Sequence, residues 1–155
     1  MIKASEFDLK FKNEIMEFPH SEKLMVCYQC GKCTAGCPVA RVNESFSPVR
    51  LIRMAQFGLK KEIVSSKNLV WLCATCYNCS EYCPQGIEPT DIFITLKNIS
   101  AREGYIPMGR KMVFMTLAKT GLILKVGPEE NKERVEMGLA PFPEVNTDEL
   151  QRILK

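Results

Sequence analysis

The stretch Cys27-Tyr28-Gln29-Cys30-Gly31-Lys32-Cys33-Thr34-Ala35-Gly36-Cys37-Pro38 holds four cysteines at intervals of three, three and four, with proline directly after the last. It recurs as Cys73-Ala74-Thr75-Cys76-Tyr77-Asn78-Cys79-Ser80-Glu81-Tyr82-Cys83-Pro84, and the two copies use all eight cysteines of the chain. A 4Fe-4S cubane has four irons that each need one thiolate, and a tight loop of this spacing supplies three of them. The fourth comes from farther away. In the two-cluster pattern the last cysteine of each run serves the other cluster, because the proline after it turns the chain aside. The spacing therefore predicts two 4Fe-4S clusters, the first on Cys27, Cys30, Cys33 and Cys83, the second on Cys73, Cys76, Cys79 and Cys37. Such an exchange ties the two halves of the chain together through metal and sets the clusters side by side, as an electron relay needs.

Two rival uses of the cysteines fit less well. Zinc takes four ligands in two pairs, commonly C-x₂₋₄-C with the second pair well downstream, and leaves the third cysteine of each run without a purpose. A disulfide framework needs an oxidising compartment, whereas residues 1–14 show no charged segment followed by an apolar run of the kind that directs export. The expected location is cytoplasmic.

Composition narrows the function classes. A chain of 155 residues with 46% hydrophobic content suits one modest compact domain with arms. The formal charge of +3 counts every cysteine as neutral; with eight thiolates around two oxidised cores of about +2 each it falls to about −1. No basic run or aromatic-basic interleaving points to nucleic acid. Residues 108–126 are apolar in part, but Arg110, Lys111, Lys119 and Lys125 interrupt them. A spanning helix needs about 20 mainly apolar residues, so no membrane span is expected.

The segments between the motifs read as helices. Phe7, Phe11, Ile15 and Phe18 share one face of a short helix in a lead-in over residues 1–19. Ser47-Pro48 reads as an N-cap followed by proline at the first helical position, with Gly58 near the helix end and Arg50, Arg53, Gln56 and Lys60 on a polar stripe. A second short helix follows over about 59–65. Pro89 opens another, with Ile92, Leu96 and Ile99 on its apolar face and Gly104 at its close. After Pro107, a stripe of Met108, Met112, Met115, Ala118 and Leu122 is expected to pack in the core, with a docking groove as the alternative. From Gly127 the composition turns to prolines and charges, which predicts an extended arm over 127–155, either a disordered tail or a segment that wraps a partner chain, with a last short helix at 148–154. No segment alternates as a hairpin would. The fold class is therefore all-α: a helical two-cluster ferredoxin-like domain over residues 20–126, with the N-terminal lead-in and the extended C-terminal arm.

Within the loops, Gly31 and Gly36 let the backbone turn closely around a cubane, and loop N–H groups aimed at sulfur stabilise its reduced state. Lys32 sits between two ligands and either acts in the same direction or points to solvent. His20 reads as a solvated loop residue, since the cysteines already fill both clusters. With every thiol committed, a single histidine, and no glycine-rich nucleotide loop, the chain offers no catalytic residues of its own.

The loop residues carry a closer likeness. Cys27 to Pro38, together with Trp71-Leu72-Cys73-Ala74-Thr75-Cys76-Tyr77-Asn78-Cys79 and Ser80-Glu81-Tyr82-Cys83-Pro84, resembles the cluster motifs of the C subunit of heterodisulfide reductase from methanogens. The helix start Ser47-Pro48-Val49-Arg50 fits the same family, and the likeness covers about residues 20–104 well. It implies an electron-transfer iron-sulfur subunit of a cytosolic complex, with the A and B subunits of heterodisulfide reductase as its partners. In that family the A subunit bears flavin and several clusters and bifurcates electrons, and the B subunit reduces the mixed disulfide of coenzyme M and coenzyme B at clusters held by Cys-Cys-Gly sequences. This chain has no adjacent cysteine pair, so the resemblance places it between those two, in an assembly that often includes a hydrogenase or formate dehydrogenase.

Three other functions compete. The iron-sulfur subunit of a succinate or fumarate oxidoreductase shares the helical spacing, but adds a 2Fe-2S domain and a three-iron cluster that have no counterpart here. A related relay subunit of a sulfur-metabolism complex fits the same residues. A metal-stabilised interaction protein, of another class, differs in having no reducible chromophore.

Overall fold

Helix boundaries in the computed structural model, which describes residues 7–65, 69–124, 126–143 and 145–153, fall where local chemistry puts them. Asp8 caps helix α1 (Leu9–Met16) by accepting from Lys10 N–H, and Ser47 caps α4 (Pro48–Gln56) by accepting from Arg50 N–H. Proline stands at the start of α3 (Pro38–Val42), α4 and α7 (Pro89–Arg102), where its missing N–H costs nothing. Short helices α2 (Lys32–Ala35), α5 (Lys60–Ile63) and α6 (Asn78–Glu81) lie between them, with 3₁₀ turns at Glu22–Val26 and Leu69–Leu72. Among the described residues no strand occurs, so the fold is all-α, in line with the sequence.

The chain divides into two compact units, Met1–Ile106 and Pro107–Lys155. The division expected at 126–127 lies farther along by the length of one helix.

In the first unit α7 is central. It buries Ile92, Phe93, Leu96 and Ile99, while α4 adds Leu51, Ile52 and Ala55 and α1 adds Phe11 and Ile15. Fully burying a side chain of this size contributes about 1.5–3 kcal/mol. The lead-in is thus part of this core. Phe7 lies outside it, 41% exposed and edge-on to Phe57. Ser21 and Thr95 are polar members of the interior, and their hydroxyls satisfy each other at 3.1 Å. Gly58 docks α1 onto the end of α4: Asp8 N–H donates to Gly58 O at 2.9 Å, and a Cβ at Gly58 would stand 2.0 Å from Asp8 O. Lys60 meets Glu103 at 2.8 Å and Glu14 at 3.7 Å, and Arg102 pairs with Glu14, so α1, α5 and the end of α7 share one ion network. The hydrogen bond between them raises the Lys60 pKa and lowers that of Glu103.

The second unit holds α8 (Met108–Thr120), α9 (Pro128–Glu136) and α10 (Asp148–Ile153). Its methionine stripe corrects the core-packing expectation, because Met108, Met112 and Met115 are 70%, 60% and 57% exposed. α9 also departs from the expected extended arm. Pro128 opens it, Glu129 and Glu130 favour its positive N-terminal end, and Glu130 accepts from Gly127 N–H at 2.8 Å. No helix among the described residues is long and apolar enough to cross a membrane.

Candidate iron-sulfur centre

Each cysteine loop takes the left-handed region twice, two and four residues after its first cysteine. In the first loop these are Gln29 (φ 67°) and Gly31 (φ 81°), in the second Thr75 (φ 56°) and Tyr77 (φ 63°). Non-glycine residues there cost about 1–3 kcal/mol each and persist only when their surroundings fix them. The surroundings are matched in the two halves. Thr34, just after Cys33, accepts from Val49 N–H at 3.1 Å, and Ser80, just after Cys79, accepts from Thr90 N–H at 3.4 Å. Cys27 O accepts from Gln56 Nε2 at 3.2 Å, and Cys73 O accepts from Lys97 Nζ at 2.9 Å. Gln56 and Lys97 each lie eight residues after the proline that opens their helix. The doubled motif in the sequence is therefore a doubled structure, in which α4 supports the first loop as α7 supports the second.

The halves meet at α2 and α6. Gly36 and Tyr82 occupy equivalent places, each just before the fourth cysteine, and a Cβ on Gly36 would stand 2.4 Å from Tyr82 Cδ2. Gly36 has φ −84°, so glycine is needed there for close approach and not, as its sequence suggests, for an unusual turn. Gly31 does make such a turn.

Cys27, Cys30, Cys33 and Cys83 line one cavity with Val49, Ile52, Pro84 and Ile87, enclosing about 390 Å³ with the space at its open mouth. Cys83 reaches it from the second loop. Of the remaining four, Cys37, Cys73 and Cys79 are buried and belong to the same core cluster, and Cys76 is exposed. Cys79 Sγ lies 3.2 Å from Thr90 Oγ1, and Thr75 N–H donates to Cys73 Sγ at 3.4 Å. Burial pushes the Cys33 thiol up to about 11, against a hydrogen bond with Thr34, and neighbouring Cys79 and Cys27 push the same way as burial. Burial likewise raises Cys79, while the Lys32 N–H bond lowers exposed Cys30. Sheltered thiols of this kind lose their protons when metal takes the proton's place.

The donor set fits iron-sulfur chemistry. Thiols with apolar walls, and neither histidine nor carboxylate among the lining residues, suit a soft metal-sulfide core. Zinc would need its sulfurs about 2.3 Å from one centre, whereas Cys27, Cys30, Cys33 and Cys83 line the walls of a cavity. All eight cysteines are free of disulfides.

Paired cysteine loops around sheltered, soft-walled space define a dicluster iron-sulfur protein, and the chain matches the 4Fe-4S dicluster domain family over residues 23–87. Curated relatives extend the likeness over the whole chain. It is 33% identical to the iron-sulfur C subunit of the CoB–CoM heterodisulfide reductase of Methanopyrus kandleri, covering 100% of this chain and 86% of the relative. It is 33% identical to the C2 subunit of the H₂/formate:CoB-CoM heterodisulfide,ferredoxin reductase of Methanococcus maripaludis, covering 100% and 90%. For the C subunit of the ferredoxin/F420H₂-dependent CoB-CoM heterodisulfide reductase of Methanosarcina acetivorans, identity is 36% over 78% of this chain and 73% of the relative. The chain belongs to the heterodisulfide reductase C-subunit family: it is an iron-sulfur, electron-transferring subunit of an oxidoreductase complex, with two 4Fe-4S clusters.

The second layer around the loops is what sequence reasoning overlooks. Gln56 reads as part of a polar stripe, and neither Thr90 nor Lys97 stands out from its neighbours. A signal exists all the same, since aligning Pro48 with Pro89 sets Val49 against Thr90 and Gln56 against Lys97. Lys32 is exposed, and His20, also exposed, pairs with Glu88 at 3.0 Å away from the cysteines.

Proposed function

We propose that this chain works in the cytoplasm as the relay of a heterodisulfide reductase, taking electrons from a flavin-bearing A subunit and delivering them to the B subunit that reduces the CoM–CoB heterodisulfide. When bound, each 4Fe-4S cluster supplies a one-electron carrier without proton chemistry. The first cluster is held by Cys27, Cys30, Cys33 and Cys83, the second by Cys73, Cys76, Cys79 and Cys37. The cavity lined by the first of these sets, with a cysteine from the other half of the chain, supports the crossed pairing. The observation that carries the relay reading is that Cys30 and Cys76, the middle ligands of the two loops, are the exposed cysteines while the others are sheltered. One edge of each cluster then faces a partner. The rest of the loops shelters and holds the ligands.

Anaerobic affinity purification of the tagged chain from native extract tests this. A flavin-bearing polypeptide and one with Cys-Cys-Gly sequences are expected to accompany it, and the reduced flavoprotein should bleach its visible absorption. Isolation with neither partner, or with a hydrogenase or formate dehydrogenase alone, would overturn the assignment of donor and acceptor.

A further inference from the structure

The two halves match in backbone and differ in charge at the equivalent positions whose side chains hold the first cysteine of each loop. Gln56, on α4, binds the carbonyl of the first cysteine in loop one, and Lys97, on α7, binds the carbonyl of the first cysteine in loop two. Lys97 Nζ also donates to Thr75 Oγ1 at 2.9 Å, and the N–H of that same Thr75 points at Cys73 Sγ. A half-buried cation is thus bound to the backbone carbonyl of a ligand cysteine, where the other half has a neutral amide. We propose that Lys97 is a positioning residue for electron transfer, whose charge raises the reduction potential of the cluster held by Cys73, Cys76 and Cys79.

Reduction adds negative charge to a cluster, and a nearby cation stabilises that state. Solvent screens such a charge when it is exposed, much less when it is half-buried and hydrogen-bonded to the loop. Lys32 in the first loop favours the Cys30 thiolate, but it is exposed, so solvent screens its charge more than that of Lys97. Burial works the other way. Cys73 and Cys79 are 8% and 7% exposed, whereas Cys27 and Cys33 of the first loop are less buried, and a more buried cluster is harder to reduce. Lys97 works against that penalty and keeps the two potentials closer together.

The inference rests on Cys73, Cys76 and Cys79 sharing a cluster, but on neither the fourth ligand nor the identity of the partners. The test is an anaerobic redox titration of the holoprotein followed by electron paramagnetic resonance, reading the signal that Cys76→Ser perturbs. Lys97→Gln, which copies the neutral residue of the other half, is expected to keep full iron content and move that signal to lower potential, leaving the other signal in place. Lys97→Arg should hold the wild-type potential, and the mirror change Gln56→Lys should raise the other cluster. An unmoved potential in Lys97→Gln at full iron content would overturn the proposal. So would equal shifts in Lys97→Gln and Lys97→Arg, because the residue would then act through packing and not through charge.

Discussion

Thr90 and Val49 show how much one hydroxyl does. Both directly follow a helix-opening proline and both donate their backbone N–H to the residue after the third cysteine, but only Thr90 adds an oxygen 3.2 Å from a ligand sulfur. An O–H bond to sulfur favours the reduced cluster. Thr90→Val, which leaves the backbone bond in place, is expected to lower the potential of the cluster bound by Cys79 without loss of iron, as read by redox titration. The crossed ligation has its own residue-scale outcome: Cys83→Ser should damage the cluster of Cys27, Cys30 and Cys33, and Cys37→Ser the other, as followed by site-resolved spectroscopy. If Cys83→Ser selectively abolished the cluster of its own loop, the ligand sets would have to be redrawn. The cysteines are legible because thiolate spacing around a cubane is a covalent constraint written in the primary sequence. Lys97 is not, because a lysine on a helix reads as solvated until the loop that folds against it is known.

At the scale of elements, the contact of α2 with α6 depends on an unequal pair. Gly36 leaves room for the Tyr82 ring, and Gly36→Ala should cost about 1–3 kcal/mol by overpacking, seen as a fall in Tm of the holoprotein. Combining it with Tyr82→Ala should recover most of that loss. The N-cap Ser47 links a second pair, accepting from Arg50 N–H while its hydroxyl lies 3.3 Å from that of Thr34 beside Cys33. Ser47→Ala should cost about 1 kcal/mol in denaturant unfolding and loosen the first loop. Helix starts at Pro48 and Pro89 are readable because cap and proline act within a few residues. α9 escapes notice because its charges and prolines resemble those of a disordered tail, although Pro128 and the two glutamates after it are helix-opening features. The α8 stripe misleads for a different reason: periodicity says that a face is apolar and not that anything covers it.

For the whole molecule, every cysteine lies in the unit Met1–Ile106, and three of them are part of its core. Metal and hydrophobic burial there act on the same side chains. Removing iron with a chelator under reducing conditions should sharply increase amide hydrogen exchange in α2, α4, α6 and α7, and leave α8 and α9 near their original rates. Equal change in both units would show that they fold as one.

A repeat that had stayed identical would give a conductor with no front or back. Here glycine faces tyrosine across the join, an amide answers an ammonium beneath the loops, and exposed Lys32 stands where the other copy has Asn78. The molecule is built as a duplicate but has polarity, so its two ends present different chemistry to whatever docks there, and a donor and an acceptor can be told apart.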